Sequence, residues 1–131
     1  MKSGKNDRKQ LTQPSTAEIN SLVALYNERN YDELERQARI LIDRFPDFGF
    51  GWQLLGGALQ RHGKDALHAF QKAAELMPDD AGAHYNLGFA LKNSGQFNSA
   101  VLSYRRAIQI KPRLCRGLLQ SGQYLQIAGA V

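Results

Sequence analysis

The chain has 131 residues, with 17 Lys and Arg against 12 Asp and Glu and a single Cys. That length suits one domain or a short repeat array able to bury a real core, and 43% hydrophobic with 22% charged residues excludes a disordered polyelectrolyte. Cys115 has no second Cys to pair with, which excludes an intrachain disulfide framework and a Cys-based zinc site and makes the cytoplasm the expected compartment. The charge-free stretches 48–60 and 117–131 are too short and too broken by Gln and Gly to span a bilayer, and no apolar segment follows the basic residues at the N-terminus, so neither a membrane span nor a leader is expected.

In chain order, residues 1–13 are rich in Lys, Asn, Gln and Gly and read as a flexible basic tail ahead of an array over 14–131. Ser15 with Glu18 has capping-box spacing and opens a helix over 15–28; Asn30 with Glu33 repeats that spacing ahead of a helix over 31–45. Helices over 49–62 and 64–77 follow, joined at Gly63, where the turn needs a left-handed residue. Asp80 caps a helix over 81–93, Gly95 makes the next turn, and helices over 96–110 and 114–128 complete the chain. Pro46, Pro78 and Pro112 stand just past helix ends and close the pairs, giving units of about 15–48, 49–80 and 81–114 with a terminal helix at 114–128. No segment alternates with period two over any length, so the fold class is all-α.

The pairs repeat in sequence. Trp52, Leu55, Gly56, Ala58 and Leu59 match His84, Leu87, Gly88, Ala90 and Leu91 at an offset of 32; Ala66, Phe70, Ala73 and Pro78 match Ala100, Tyr104, Ala107 and Pro112 at an offset of 34. The change of offset marks a two-residue deletion between Leu59 and Ala66, near Gly63. A fainter copy holds Leu22, Ala24, Leu25, Leu34 and Pro46 in register, and another begins at Cys115. These residues resemble the tetratricopeptide repeat, whose pattern W-x2-L-G-x2-Y…A-x3-F…P appears as Trp52, Leu55, Gly56, Leu59, Ala66, Phe70 and Pro78. The resemblance implies a solenoid of about three helix–turn–helix units plus a C-terminal helix, wound as a right-handed superhelix. Gly56 and Gly88 are expected where paired helices cross, opposite Ala66 and Ala100.

Catalytic patterns are missing. His62, His68 and His84 show no i, i+4 pair, so no metal site is expected, and His84 takes the place of the repeat's Trp in a packing role. Cys115 lies beside Arg113 and Arg116 with no His near it in sequence, Asp80 is accounted for as a cap, and the glycines of 48–52 follow no strand and make no phosphate loop. No enzyme activity and no cofactor are expected.

What the resemblance implies is a concave groove, lined by the first helix of each unit, that holds a peptide or protein partner. Carried over position by position, the groove comprises Asn20, Tyr26 and Asn27 with Val23; Phe50, Gln53 and Arg61 with Gly57 and Gln60; Tyr85, Asn86, Phe89, Lys92 and Asn93; and Arg116 and Gln120 with Gln123. Amides there can donate to and accept from a peptide backbone while aromatic faces supply contact area. Asn20, Asn86 and Gln120 share one repeat position, interrupted by Leu54; this is similar to the asparagine ladder of O-linked N-acetylglucosamine transferases, and residues 20–112 resemble the repeat segment preceding bacterial transferases of that type. A chaperone-type carboxylate clamp is not expected, because Val23, Phe50, Leu54 and Gly82 occupy positions that pattern fills with polar groups.

Two other readings stand beside the groove. Leu114, Leu118 and Leu125 form an apolar face with Gly122 while Leu119 and Ile127 make others, so the terminal helix would serve self-association or docking within a larger, glycosyltransferase-type protein. Residues 97–131 carry Arg105, Arg106, Lys111, Arg113 and Arg116 with no acid, and hold the whole net charge of +5. That patch admits nucleic-acid binding, the weakest of the three readings, since Phe97, Tyr104 and Tyr124 give poor aromatic interleaving.

Overall fold

A computed structural model describes residues 13–113 as six helices with no strand among the described residues: α1 Thr16–Asn27, α2 Tyr31–Arg44, α3 Gly49–Arg61, α4 Leu67–Leu76, α5 Ala81–Asn93 and α6 Phe97–Ile110. Each helix packs on the next along the chain, and α1 also reaches α3. The result is an all-α repeat array stabilised by nearest-neighbour contacts. The tail expected at 1–13, save Gln13, and the helix expected at 114–128, with Leu114, Arg116, Leu118, Leu119, Gln120, Leu125 and Ile127, lie outside the described residues.

The starts and stops follow local chemistry. Ser15 accepts from the Glu18 backbone N–H at 3.1 Å while Glu18 accepts from the Ser15 N–H at 3.0 Å, the reciprocal capping box. Asp80 accepts from the Ala83 N–H at 3.2 Å. Asn30 does not repeat the device: its side chain makes no cap bond, and its backbone N–H donates to the Leu25 carbonyl at 2.9 Å while Glu33 accepts from Arg36 and Gln37. The turns between paired helices use Gly63 at φ 70° and Gly95 at φ 83°, and in the first unit Arg29 takes the same role at φ 61°. The fourth helix begins at Leu67 rather than near 64, where the Asp65 carboxylate accepts from the Leu67 N–H at 2.9 Å.

One core holds Leu22, Leu34, Ala38, Leu41, Leu54, Leu55, Leu59 and Phe70, and a second gathers Ala81, Tyr85 and Ala107. Gly56 and Gly88 face rings rather than Ala66 and Ala100: a Cβ on Gly56 would stand 2.5 Å from Phe70 Cε1, and one on Gly88 2.9 Å from Tyr104 Cδ1. The helices approach this closely because the aromatic ring fills the space a side chain on the first helix would need. In the first unit the sizes are exchanged, with Leu22 at the glycine position and Ala38 at the ring position, both buried in the same core. The unit that departs most from the sequence pattern therefore keeps its volume by compensation.

A second device recurs at the unit boundaries. The Trp52 indole N–H donates to the Pro46 carbonyl at 2.9 Å, and His84 Nε2 lies 2.8 Å from the Pro78 carbonyl. His84 thus does the work of the repeat's Trp, in the tautomer that protonates Nε2.

Candidate binding face

The first helices of the units, α1, α3 and α5, carry the positions expected to line a groove. Asn20, Asn27, Arg61, Lys92 and Asn93 are exposed, and Val23, Tyr26, Phe50, Gln60 and Phe89 are half-buried. Aromatic and cationic side chains associate across this face. The Arg61 guanidinium lies 5.7 Å from the Tyr26 ring centroid and donates to its hydroxyl at 3.0 and 3.2 Å, and Lys92 Nζ stands 5.1 Å from the Phe89 centroid. Phe48 and Phe50 meet edge to face at 6.3 Å. Such pairs hold cations over apolar area, a surface suited to peptide contact.

Gln53, Tyr85 and Asn86 are not open surface: they are 1%, 2% and 0% exposed. These positions turn inward, Tyr85 onto α6 beside Ala107 and Tyr104, while Lys92 and Asn93 on the same helix remain exposed. Tyr85 tilts against Tyr104 at 5.4 Å, and burial, with the neighbouring phenol, pushes the Tyr104 hydroxyl up to about 12. Asn86 is the anomaly. Both amide atoms, Nδ2 and Oδ1, are buried without a hydrogen-bond partner among the described residues, and a buried group left unpaired costs about 1–3 kcal/mol. One unit earlier the same position is Leu54, also fully buried.

Ion pairs tie α2 to its neighbours. Lys64 Nζ meets Glu35 at 2.9 Å, and Arg44 meets Glu18 at 2.6 Å. Hydrogen bonding from Lys64, aided by Arg39, holds the Glu35 carboxyl below its ordinary range, and the Ser15 N–H and Arg44 do the same for Glu18. Arg106 lies 3.5 Å from Asp79, so Asp79 partly offsets the basic patch on α6. His62 points to Asp32 at 3.3 Å.

The sequence reading overlooked a cleft of about 350 Å³ between the second and third units, lined by Gln60, Leu67, Phe70, Ala90, Asn93 and Ser94 among others. The signal that marks it is the two-residue deletion near Gly63.

Comparison with known proteins bears on this architecture. The profile described as Tetratricopeptide repeat matches residues 81–114, and one described as TPR repeat matches residues 64–95. The chain is 35% identical over 68 residues to Protein O-mannosyl-transferase TMTC3 of Mus musculus, covering 50% of this chain and 7% of that protein. It is 35% identical over 81 residues to the Peroxisomal targeting signal receptor of Eremothecium gossypii, covering 62% of this chain and 14% of that protein. The chain thus spans a small part of the relatives it matches, and these findings concern the repeats rather than the likeness to O-linked N-acetylglucosamine transferases. Among the described residues, no helix is long and apolar enough to cross a membrane. With its paired helices, ring-against-glycine crossings and repeat profiles matched over residues 64–114, the chain carries tetratricopeptide repeats.

Proposed function

We propose that the chain is a non-catalytic protein-interaction scaffold that holds an extended segment of a protein partner along the face of α1, α3 and α5. The observation that carries this reading is Asn86. Its amide is fully buried with neither donor nor acceptor used among the described residues, and the repeat itself offers Leu54 as an apolar alternative at that position. A polypeptide backbone supplies one donor and one acceptor per residue, the complement of that amide. Reaching that amide requires the side chains that bury it to turn aside on binding, a change common at interfaces. Arg61 and Lys92, exposed on the rim, favour a partner with acidic character. The peroxisomal targeting signal receptor, by its name a receptor, supports a recognition role, and the lone Cys115 supports a reducing compartment such as the cytoplasm.

The test is capture from a nuclease-treated lysate by wild type, by Arg61→Glu/Lys92→Glu on this face, and by Arg105→Glu/Arg106→Glu on α6. Loss of partners in the first variant alone supports the face. Equal recovery in all three contradicts it, and loss only in the second favours the basic patch.

A second reading has its own observation. On α6, Phe97, Val101 and Ile108 follow helical spacing and are 62%, 46% and 43% exposed, an apolar stripe suited to another helix, from a second copy or elsewhere in a larger protein. Val101→Glu should then lower the apparent mass in solution of an associated form; an unchanged mass removes self-association through this stripe.

A further inference from the structure

We infer that the cleft between the second and third units is a receptor for an aromatic side chain, tyrosine above all, presented by the protein partner; this rests on the scaffold reading above. The repeat itself supplies the argument. In the first unit the left-handed residue Arg29 is followed five residues later by Leu34, and in the third Gly95 is followed five later by Ala100. Within those turns stand Tyr31 and Phe97, each opening its helix. In the second unit Gly63 is followed only three residues later by Ala66, so no aromatic exists there, and α4 has 10 residues where α2 and α6 have 14.

Tyr31 shows what that aromatic does. Its ring bridges the first two units, edge-on to Tyr26 at 5.8 Å and to His62 of the next unit at 6.0 Å. The residues equivalent to Tyr26 and His62 at the next junction are Gln60 and Ser94, and both line the cleft with no ring between them. The cleft is therefore the place that the deletion vacated. Its volume, about 350 Å³, falls within the range of small-ligand sites, about 300–1,000 Å³. Leu67 and Ala90 give it apolar lining with the buried Phe70 ring behind them, Lys64 and Asp65 are engaged by Glu35 and the Leu67 N–H, and the Gln60 and Asn93 amides can bond a phenol hydroxyl. Gln60 and Asn93 also belong to the face of α3 and α5, so a segment lying on that face can drop a side chain into the cleft.

The experiment uses the full chain, ¹⁵N-labelled, titrated with N-acetyl-L-tyrosinamide and with N-acetyl-L-leucinamide. Two variants fill the cleft: insertion of Tyr-Asp between Lys64 and Asp65, which restores the five-residue spacing, and Ala90→Met, which needs no change of chain length. The expected result is saturable shifts at the Gly63, Ala90 and Ser94 amides of wild type, at about millimolar affinity for the tyrosine probe. The leucine probe should shift them far less, and both filled variants should lose the response while the insertion raises Tm. Absence of saturation, equal response to the two probes, or a response undiminished in both variants overturns the assignment. The scaffold reading fails separately, through the Arg61→Glu/Lys92→Glu capture, since neither residue lines the cleft.

Discussion

Gly56 lies directly beneath the ring of Phe70, so close that a single methyl group would stand 2.5 Å from Cε1 and within 2.9 Å of Cζ. Phe70 is wholly buried and its ring is rigid, so it cannot yield without opening the core. Tyr104 opposite Gly88 is half-buried and sits 2.9 Å from the same imagined atom, leaving more room to shift. Gly56→Ala should therefore destabilise by about 1–3 kcal/mol despite Ala's better helix propensity, and Gly88→Ala by less. The first unit's exchange of sizes adds a stricter check: in Gly56→Leu/Phe70→Ala the two changes should be strongly coupled, the pair recovering much of what Gly56→Leu loses alone. Urea denaturation of the four variants measures both; additive losses would show that the ring does not set the crossing.

Arg29 adopts φ 61° where the later units use Gly63 and Gly95. A left-handed conformation costs about 1–2 kcal/mol for an ordinary L-residue and little for glycine. Arg29→Gly should raise stability by about 1 kcal/mol, while Gly63→Arg should lower it by a similar amount. Thermal melts of the two variants should move in opposite directions.

Glu35 joins the first unit to the second through Lys64, and its carboxyl sits below the ordinary range chiefly because of that hydrogen bond. A carboxyl lowered on folding contributes stability that is complete above its unfolded value, about 4.3, and is lost as pH falls through the lower native value. Glu18, lowered by the Ser15 N–H and Arg44, acts in the same direction. Stability should fall below about pH 4, and Glu35→Gln should flatten that fall while slightly lowering stability at pH 7. An unaltered pH profile in the variant would remove the Glu35–Lys64 link from the account.

Much of the fold is legible in the sequence because its signals are local. Ser15 with Glu18, Asp80, Gly63, Gly95 and the three prolines act within a turn or two of themselves, and the structure places helix ends accordingly. Asn30 misleads because its spacing matches a capping box while its N–H is already taken by the Leu25 carbonyl and Glu33 accepts from Arg36 and Gln37. Gly56 is legible as a crossing point, while its partner is not, since Ala66 just before α4 and Phe70 within it are both buried and only packing decides between them. The binding face is legible as a set of helix positions. Which of those positions are open is settled by tertiary packing, and so Gln53, Tyr85 and Asn86 are interior while Lys92 and Asn93, on the same helix as Asn86, are exposed. The cleft is written in the sequence as a missing pair of residues, visible only by comparing one unit with the next.

Asn86→Leu tests the central claim most directly, because Leu54 shows that the repeat accommodates leucine at this position. Removing an unsatisfied buried amide should raise stability by about 1–3 kcal/mol. If the amide is kept for a partner's backbone, the same variant should capture less of that partner than wild type. A protein that becomes both more stable and a poorer binder is the predicted result; a variant that binds its partner with undiminished affinity would contradict the account.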